Sequence, residues 1–212
     1  MKIGCNTVLF NQLDLYSALQ HISWAGYDGA ELAFLGSMAQ HLKLSTDQSY
    51  IDEVKATARK HNLELFAIEA SFRAGIARPD TASEEEKTKV AIRLFEVANK
   101  LGIPIIAIGS GGKAGDRKAT EKTFEFLREI SEEAESWDIT LAVKPHVGAS
   151  VWNTETVLQL LSKIDSPALG INFDPSHLYR AGDDLVEAAL KIGDRIVHSP
   201  VSYTHLTLPT KA

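Results

Sequence analysis

The sequence predicts an α/β fold, a (β/α)8 barrel that carries about seven of its eight strands. Three observations predict it. Short apolar runs alternate with helical-period segments along most of the 212 residues. Several of those runs are nearly continuous in apolar residues, as parallel strands covered on both faces require. Polar side chains collect at the C-terminal end of one run after another.

The strand candidates are Lys2–Thr7, Ala30–Phe34, Leu63–Ala70, Ile103–Ser110, Ile139–His146, Ala168–Asp174 and Arg195–His198. Helices with recognisable ends lie between them. Asp14 opens the first, Leu15, Leu19 and Ile22 form its apolar stripe, and Gly26 suits a left-handed cap. Ser83 and Glu86 form a capping box ahead of Val90, Leu94, Phe95 and Ala98. Thr120 opens the next, with Phe124, Leu127 and Ala134 facing inward. Asn153 or Thr154 caps the segment holding Val157, Leu160, Leu161 and Ile164, and Asp183 starts a last helix that stops at Gly193. Trp24, Trp137 and Trp152 are expected to pack in the core, and His41 and His61 to be solvated.

Repeated βα units without hairpin signals leave a doubly wound sheet or a closed barrel. An open sheet concentrates its polar site at one switch point. Here the polar strand ends are spread over Asn6, Glu31, Glu69, Ser110, Lys144, His146, Asp174 and His198, which matches the catalytic face of a barrel.

Composition excludes several classes. The chain is 44% hydrophobic and 24% charged, and its 22 basic against 28 acidic residues give a net charge of −6. That balance disfavours nucleic acid as a partner, because a phosphate backbone demands a basic face. No apolar run approaches the roughly 18 residues of a membrane span, and MKIGCNTVLF is too interrupted for a signal peptide. The single cysteine, Cys5, forms no internal disulfide, so a cytoplasmic location is expected.

The chemistry concentrates in two segments. In Gly170-Ile-Asn-Phe-Asp-Pro-Ser-His177 the period of two puts Gly170, Asn172 and Asp174 on one side and Ile171 and Phe173 on the other. Asp174 with His177 in the following loop is an oxygen-plus-nitrogen set for a divalent metal or a polyol. The alternative is that Asp174 caps the next turn and His177 lies on the surface. In Leu141-Ala-Val-Lys-Pro-His146 the same parity turns Lys144 and His146 inward, towards an anion, a hydroxylated substrate, or an internal ion pair with Glu69 or Asp174. Glu31 and Glu69 end their strands on the inward parity, where either can serve as a general base or orient a hydroxyl. His198 is expected to pack below the site. The run Gly109-Ser-Gly-Gly-Lys-Ala-Gly115 lacks the acidic partner of a dinucleotide site; it either offers amides to a phosphate or sugar, or forms a flexible loop.

After His198 the pattern breaks. Ser199–Ala212 has two prolines and no helical period, and VSYTHLTLPT resembles the translation of a transposase-type sequencing adapter. Two regions are therefore expected: a domain over residues 1–198 and a non-native, disordered tail over 199–212, with the last barrel unit missing.

GYDGAEL, the GSGG turn, LAVKPHVG, GINFDPSHLYRAGD and GDRIVH together resemble the xylose-isomerase-like (sugar phosphate isomerase/epimerase) TIM-barrel superfamily. The resemblance implies a divalent metal ion (Mn, Mg, Zn or Co) at the C-terminal mouth and proton transfer on a small sugar, sugar phosphate or polyol. It implies Asp174 as a metal ligand and His177 as the nearby histidine that contacts substrate or a second metal; inward parity adds Glu69 and Lys144 as candidate catalytic residues and Glu31 and His146 as candidate substrate-binding residues. The family glutamate that ends strand five is Lys144 here, Pro200 stands near the strand-seven histidine ligand, and the strand-eight glutamate is absent. An inactive 212-residue chain is the corresponding expectation. Two rival readings are a non-catalytic sugar-binding barrel and a Schiff-base lyase built on Lys144.

Overall fold

The computed structural model describes residues 2–36, 38–39, 41–74 and 81–200; the expected tail from Val201 onward lies outside the described residues. Seven parallel strands follow one another in sequence order. They are β1 (Gly4–Asn6), β2 (Gly29–Phe34), β3 (Glu64–Ala70), β4 (Ile105–Gly109), β5 (Thr140–Lys144), β6 (Leu169–Asn172) and β7 (Ile196–His198). The connecting helices are α1 (Leu15–Trp24), α2 (Gln48–Lys60), α3 (Glu84–Leu101), α4 (Arg117–Glu135), α5 (Thr154–Lys163), α6 (Pro175–Arg180) and α7 (Leu185–Ile192). The sheet curls. In a flat sheet β2 and β7 would stand about 24 Å apart, five spacings of about 4.8 Å. Instead His198 Nε2 of β7 comes within 3.2 Å of Glu31 Oε1 of β2. The architecture is an incomplete TIM barrel.

The central strands are buried on both faces, which is why they read as unbroken apolar runs. Ile106, Ile108, Leu141 and Val143 pack outward into one cluster with Leu94, Phe95, Leu127 and Ile130 of the helices. Each such side chain contributes about 1.5–3 kcal/mol when fully buried. The inner face differs. Glu69 is in register with Ala107, Ala107 with Ala142, and Ala142 with Gly170, so small residues leave room inside the curl. Its floor is Phe66, the extra residue where pairing steps from Ala30–Leu65 to Glu31–Ala67. A bulge re-aims the side chain it inserts. A Cβ on Gly29 would lie 2.7 Å from the Phe66 ring and 2.2 Å from the Glu64 carbonyl oxygen, so a hydrogen is all that fits there.

Helix starts follow side-chain caps, and two differ from expectation. Ser83 and Glu86 do form a capping box, and Asn153 caps α5. α4 begins at Asp116, whose carboxylate accepts from Ala119 N, rather than at Thr120. α7 is capped by Asp184, because Asp183 is engaged elsewhere: it accepts from Thr154 N at 2.6 Å and Thr154 Oγ1 at 2.7 Å, tying α5 to the turn before α7. Trp24 is 68% exposed, against the core position expected for it, and rests edge-on to His21. His41 is buried, with its ring nitrogen 3.1 Å from Leu13 O, and not solvated as expected. Among the described residues no helix is long and apolar enough to cross a membrane.

Candidate active site

The inner ends of the strands build one hydrogen-bonded cluster. Asn6 closes β1, and its Oδ1 accepts from Val8 N at 2.8 Å, which fixes the amide and leaves Nδ2 pointing into the curl. Nδ2 donates to Glu31 Oε2 at 2.6 Å and to Glu69 Oε2 at 2.7 Å. Two carboxylates from β2 and β3 are thereby held on one amide group. Lys144, the last residue of β5, donates to Glu69 Oε1 at 2.8 Å. Both side chains of this ion pair are about one-fifth exposed, so it is neither a solvated surface pair nor a sealed one. His198 at the end of β7 stands 3.2 Å from Glu31 Oε1. That contact is not aligned as a hydrogen bond, and Glu31 Oε1 remains buried without a hydrogen-bond partner. Asn6, Glu31, Glu69, Lys144, Asn172 and His198 all line a cavity of about 1350 Å³ along the inside of the curl.

The sequence reading placed Glu31, Glu69 and Lys144 inward, and all three meet here. Glu31 lies in the middle of β2 rather than at its end. An internal Lys144–Glu69 pair was one of the alternatives left open, and it forms. His198 is not packed beneath the site as expected; it belongs to it. Parity and strand-end position mark Asn6 and Asn172 in the sequence but give neither a role. The signal that finds them is tertiary, because their partners lie on strands distant in sequence.

Asp174 and the two histidines form a second group beside the mouth. Asp174 is fully buried and caps α6, accepting from Ser176 N at 3.0 Å and Ser176 Oγ at 2.7 Å. His177 therefore sits in the first turn of a short helix, not in a loop, with Nε2 4.0 Å from Asp174 Oδ2. The exposed His146 ring lies against His177, tilted by 38° with 4.1 Å between centroids. Burial, and then the neighbouring His146, hold the His177 imidazole below the usual histidine range, with Asp174 opposing. The glycine run after β4 is packed rather than flexible: Ser150 N donates to Gly111 O, Ala114 N to Gly148 O, and a Cβ on Gly112 would fall 1.9 Å from Ser150 Oγ.

The model of the xylose isomerase-like TIM barrel family matches residues 19–206. The chain belongs to that family. Among curated proteins, the uncharacterized protein MJ1311 of Methanocaldococcus jannaschii is 25% identical over 213 residues, spanning 93% of this chain and 69% of that one. The crystal structure of the probable 3-DHS dehydratase AsbF from Bacillus anthracis superposes with a TM-score of 0.78 at 22% identity, over 94% of this chain and 72% of that one. A D-tagatose 3-epimerase-like protein gives 0.73 at 20% identity, over 94% and 75%. At these identities the structural likeness establishes the fold.

The divalent metal implied by the family resemblance does not fit the donors that assemble. Among the described residues no three His, Cys, Asp or Glu side chains converge as a metal site. Asp174 Oδ1 accepts both hydrogen bonds of the α6 cap, and the strand-five position carries the Lys144 ammonium, which repels a second cation. A hard cation takes six or more oxygens; three of the four carboxylate oxygens of Glu31 and Glu69 already accept from Asn6 or Lys144.

Proposed function

We propose that this barrel is an isomerase or epimerase that moves a proton on a small sugar, sugar phosphate or related polyol carbonyl, with Glu69 as the proton carrier and Lys144 as its electrophilic partner. The observation that carries the reading is the Lys144–Glu69 contact of 2.8 Å at the mouth of the family's barrel. A base and a cation that close together can share one substrate. Glu69 takes the proton from the carbon beside the carbonyl, the C–H pair moves into the carbon–carbon bond, and the carbonyl electrons come to rest on oxygen. The Lys144 ammonium donates to that oxyanion, the role of an oxyanion-hole donor. Lys144 passes a proton to that oxygen and takes one from the neighbouring hydroxyl, whose electrons form the new carbonyl as Glu69 returns its proton to the former carbonyl carbon, which completes an isomerisation.

Glu31, His146 and His177 serve as substrate-binding residues in this reading, with Asp174 orienting the segment that carries His177. A carboxylate 2.8 Å from Nζ suits an ammonium rather than the neutral amine of a Schiff-base lyase. All members of the proton-transfer pair come from β3 and β5, so the expectation of inactivity, which rested on absent metal ligands, does not apply to it. The test is solvent-deuterium incorporation into a panel of aldoses and ketoses, followed by proton NMR. Exchange that disappears in Glu69→Gln supports the reading; no exchange by the wild-type chain, or exchange that survives Glu69→Gln, refutes it.

A further inference from the structure

We infer that a second cavity, away from the barrel mouth, binds a small organic cation that carries N–H groups, a primary alkylammonium or a guanidinium. It lies between the N-terminal ends of α1 and α2, against the segments that follow β1 and β2, and measures about 670 Å³. It shares no lining residue with the cavity inside the curl, so the inference is independent of the sugar chemistry. Three carboxylates line it, those of Asp14, Asp47 and Glu53. Among the described residues none of the three forms a salt bridge, and neither does Lys43 in the same lining.

A further acceptor comes from His41, which also lines the cavity and is 6% exposed. Its Nε2 stands 3.1 Å from Leu13 O. A carbonyl oxygen only accepts, so Nε2 carries the ring hydrogen and Nδ1 of the neutral imidazole presents a bare lone pair. Nδ1 is buried and has no hydrogen-bond partner. Buried acceptors are nearly always satisfied, because an orphaned one loses its hydration and gains nothing. A ligand that brings a donor satisfies this one, and a positive charge on that donor suits the three carboxylates. The negative field reaches the Tyr50 phenol in the same lining, which is pushed up to about 12 by burial and then by Asp14 and Glu53. Its ring adds an aromatic wall, which favours a cation further. An anion does not suit the cavity, although two helices begin there. The Asp14 and Asp47 carboxylates already accept from Ser17 N and Tyr50 N at those ends. A bare divalent ion does not suit it either, because among the described residues no three acidic, histidine or cysteine side chains converge as a metal site.

The experiment is titration of the full, isotope-labelled chain with 1,4-diaminobutane, followed by amide NMR. Two further probes keep the four-carbon chain. The hexamethylated bis-quaternary ammonium has the charges without N–H groups, and 1,4-butanediol has donors without charge. The diamine is expected to bind roughly tenfold more tightly than either, because a hydrogen bond to a charged group outweighs its neutral counterpart. The shifted amides should fall within residues 11–15 and 41–53. Equal affinity for the diamine and its methylated form would reduce the effect to attraction by a net charge of −6, and overturns the site. No binding of the diamine, or shifts scattered over other acidic surfaces, overturns it as well. Glu53→Gln keeps an oxygen for the Tyr16 hydroxyl and removes one charge, so diamine affinity should drop roughly threefold. Unchanged affinity in that variant counts against the proposal in the same way.

Discussion

Replacing Lys144 by Met keeps most of the side-chain stem and removes the charge, which makes the Lys144–Glu69 pair measurable. At 2.8 Å and an effective dielectric of about 20, two unit charges attract by about 6 kcal/mol. Desolvation and lost rotamer freedom cancel much of that. Exposed pairs contribute about 0–1 kcal/mol, whereas breaking a buried pair costs about 3–5 kcal/mol. With both side chains about one-fifth exposed, Lys144→Met should cost about 2–3 kcal/mol, because Glu69 Oε1 is left near the cavity without its donor. For a chain of this size that lowers the melting temperature by roughly 4–12 °C. Glu69→Gln alone should destabilise less, since the amide oxygen still accepts from Lys144 or Asn6. The double variant should recover part of the loss, with a coupling energy of about 1–3 kcal/mol. Thermal unfolding followed by circular dichroism reads all four proteins. Single effects that add to within about 0.5 kcal/mol would show that the pair is solvated and that its geometry carries no function.

Three further outcomes are expected. Gly29→Ala puts a methyl 2.2 Å from a backbone oxygen and 2.7 Å from the Phe66 ring, so overpacking should cost about 3 kcal/mol or more, read as a lower urea midpoint; a midpoint equal to wild type would contradict the packed floor. His177 is held below its ordinary value of 6.5, so the unfolded chain binds that proton more readily; stability is full above about pH 6.5 and falls as the pH drops through the folded value. In His177→Gln the acid-side loss should shrink, as measured by urea unfolding at about pH 7.5 and about pH 5; an unchanged slope would mean the burial is not what shifts the group. Dialysis against EDTA should leave any deuterium exchange intact, and tight one-to-one binding of Mn²⁺ at Glu31 and Glu69 would overturn the account of the donor set.

The presence of each strand, the seven-strand βα order and the inward facing of Glu31, Glu69 and Lys144 are legible from residue pattern, because apolar continuity and a period of two are local properties of the backbone; strand ends are not, and β6 stops at Asn172, two residues before the expected Asp174. Asp174 shows where pattern runs out. Its parity allowed a place in the mouth or a helix cap, and no residue near it in sequence could separate the two. The difference lay in whether Pro175–Arg180 would turn into a helix, which hands the carboxylate to Ser176. Asn6, Asn172 and His198 entered the site for a reason no window of sequence contains. Strand twist, accumulated from β1 to β7, closes the sheet on itself and delivers the His198 ring to Glu31, more than 160 positions away in the chain. Each strand tip is written locally; which tips share a cavity follows from the curl of the whole sheet.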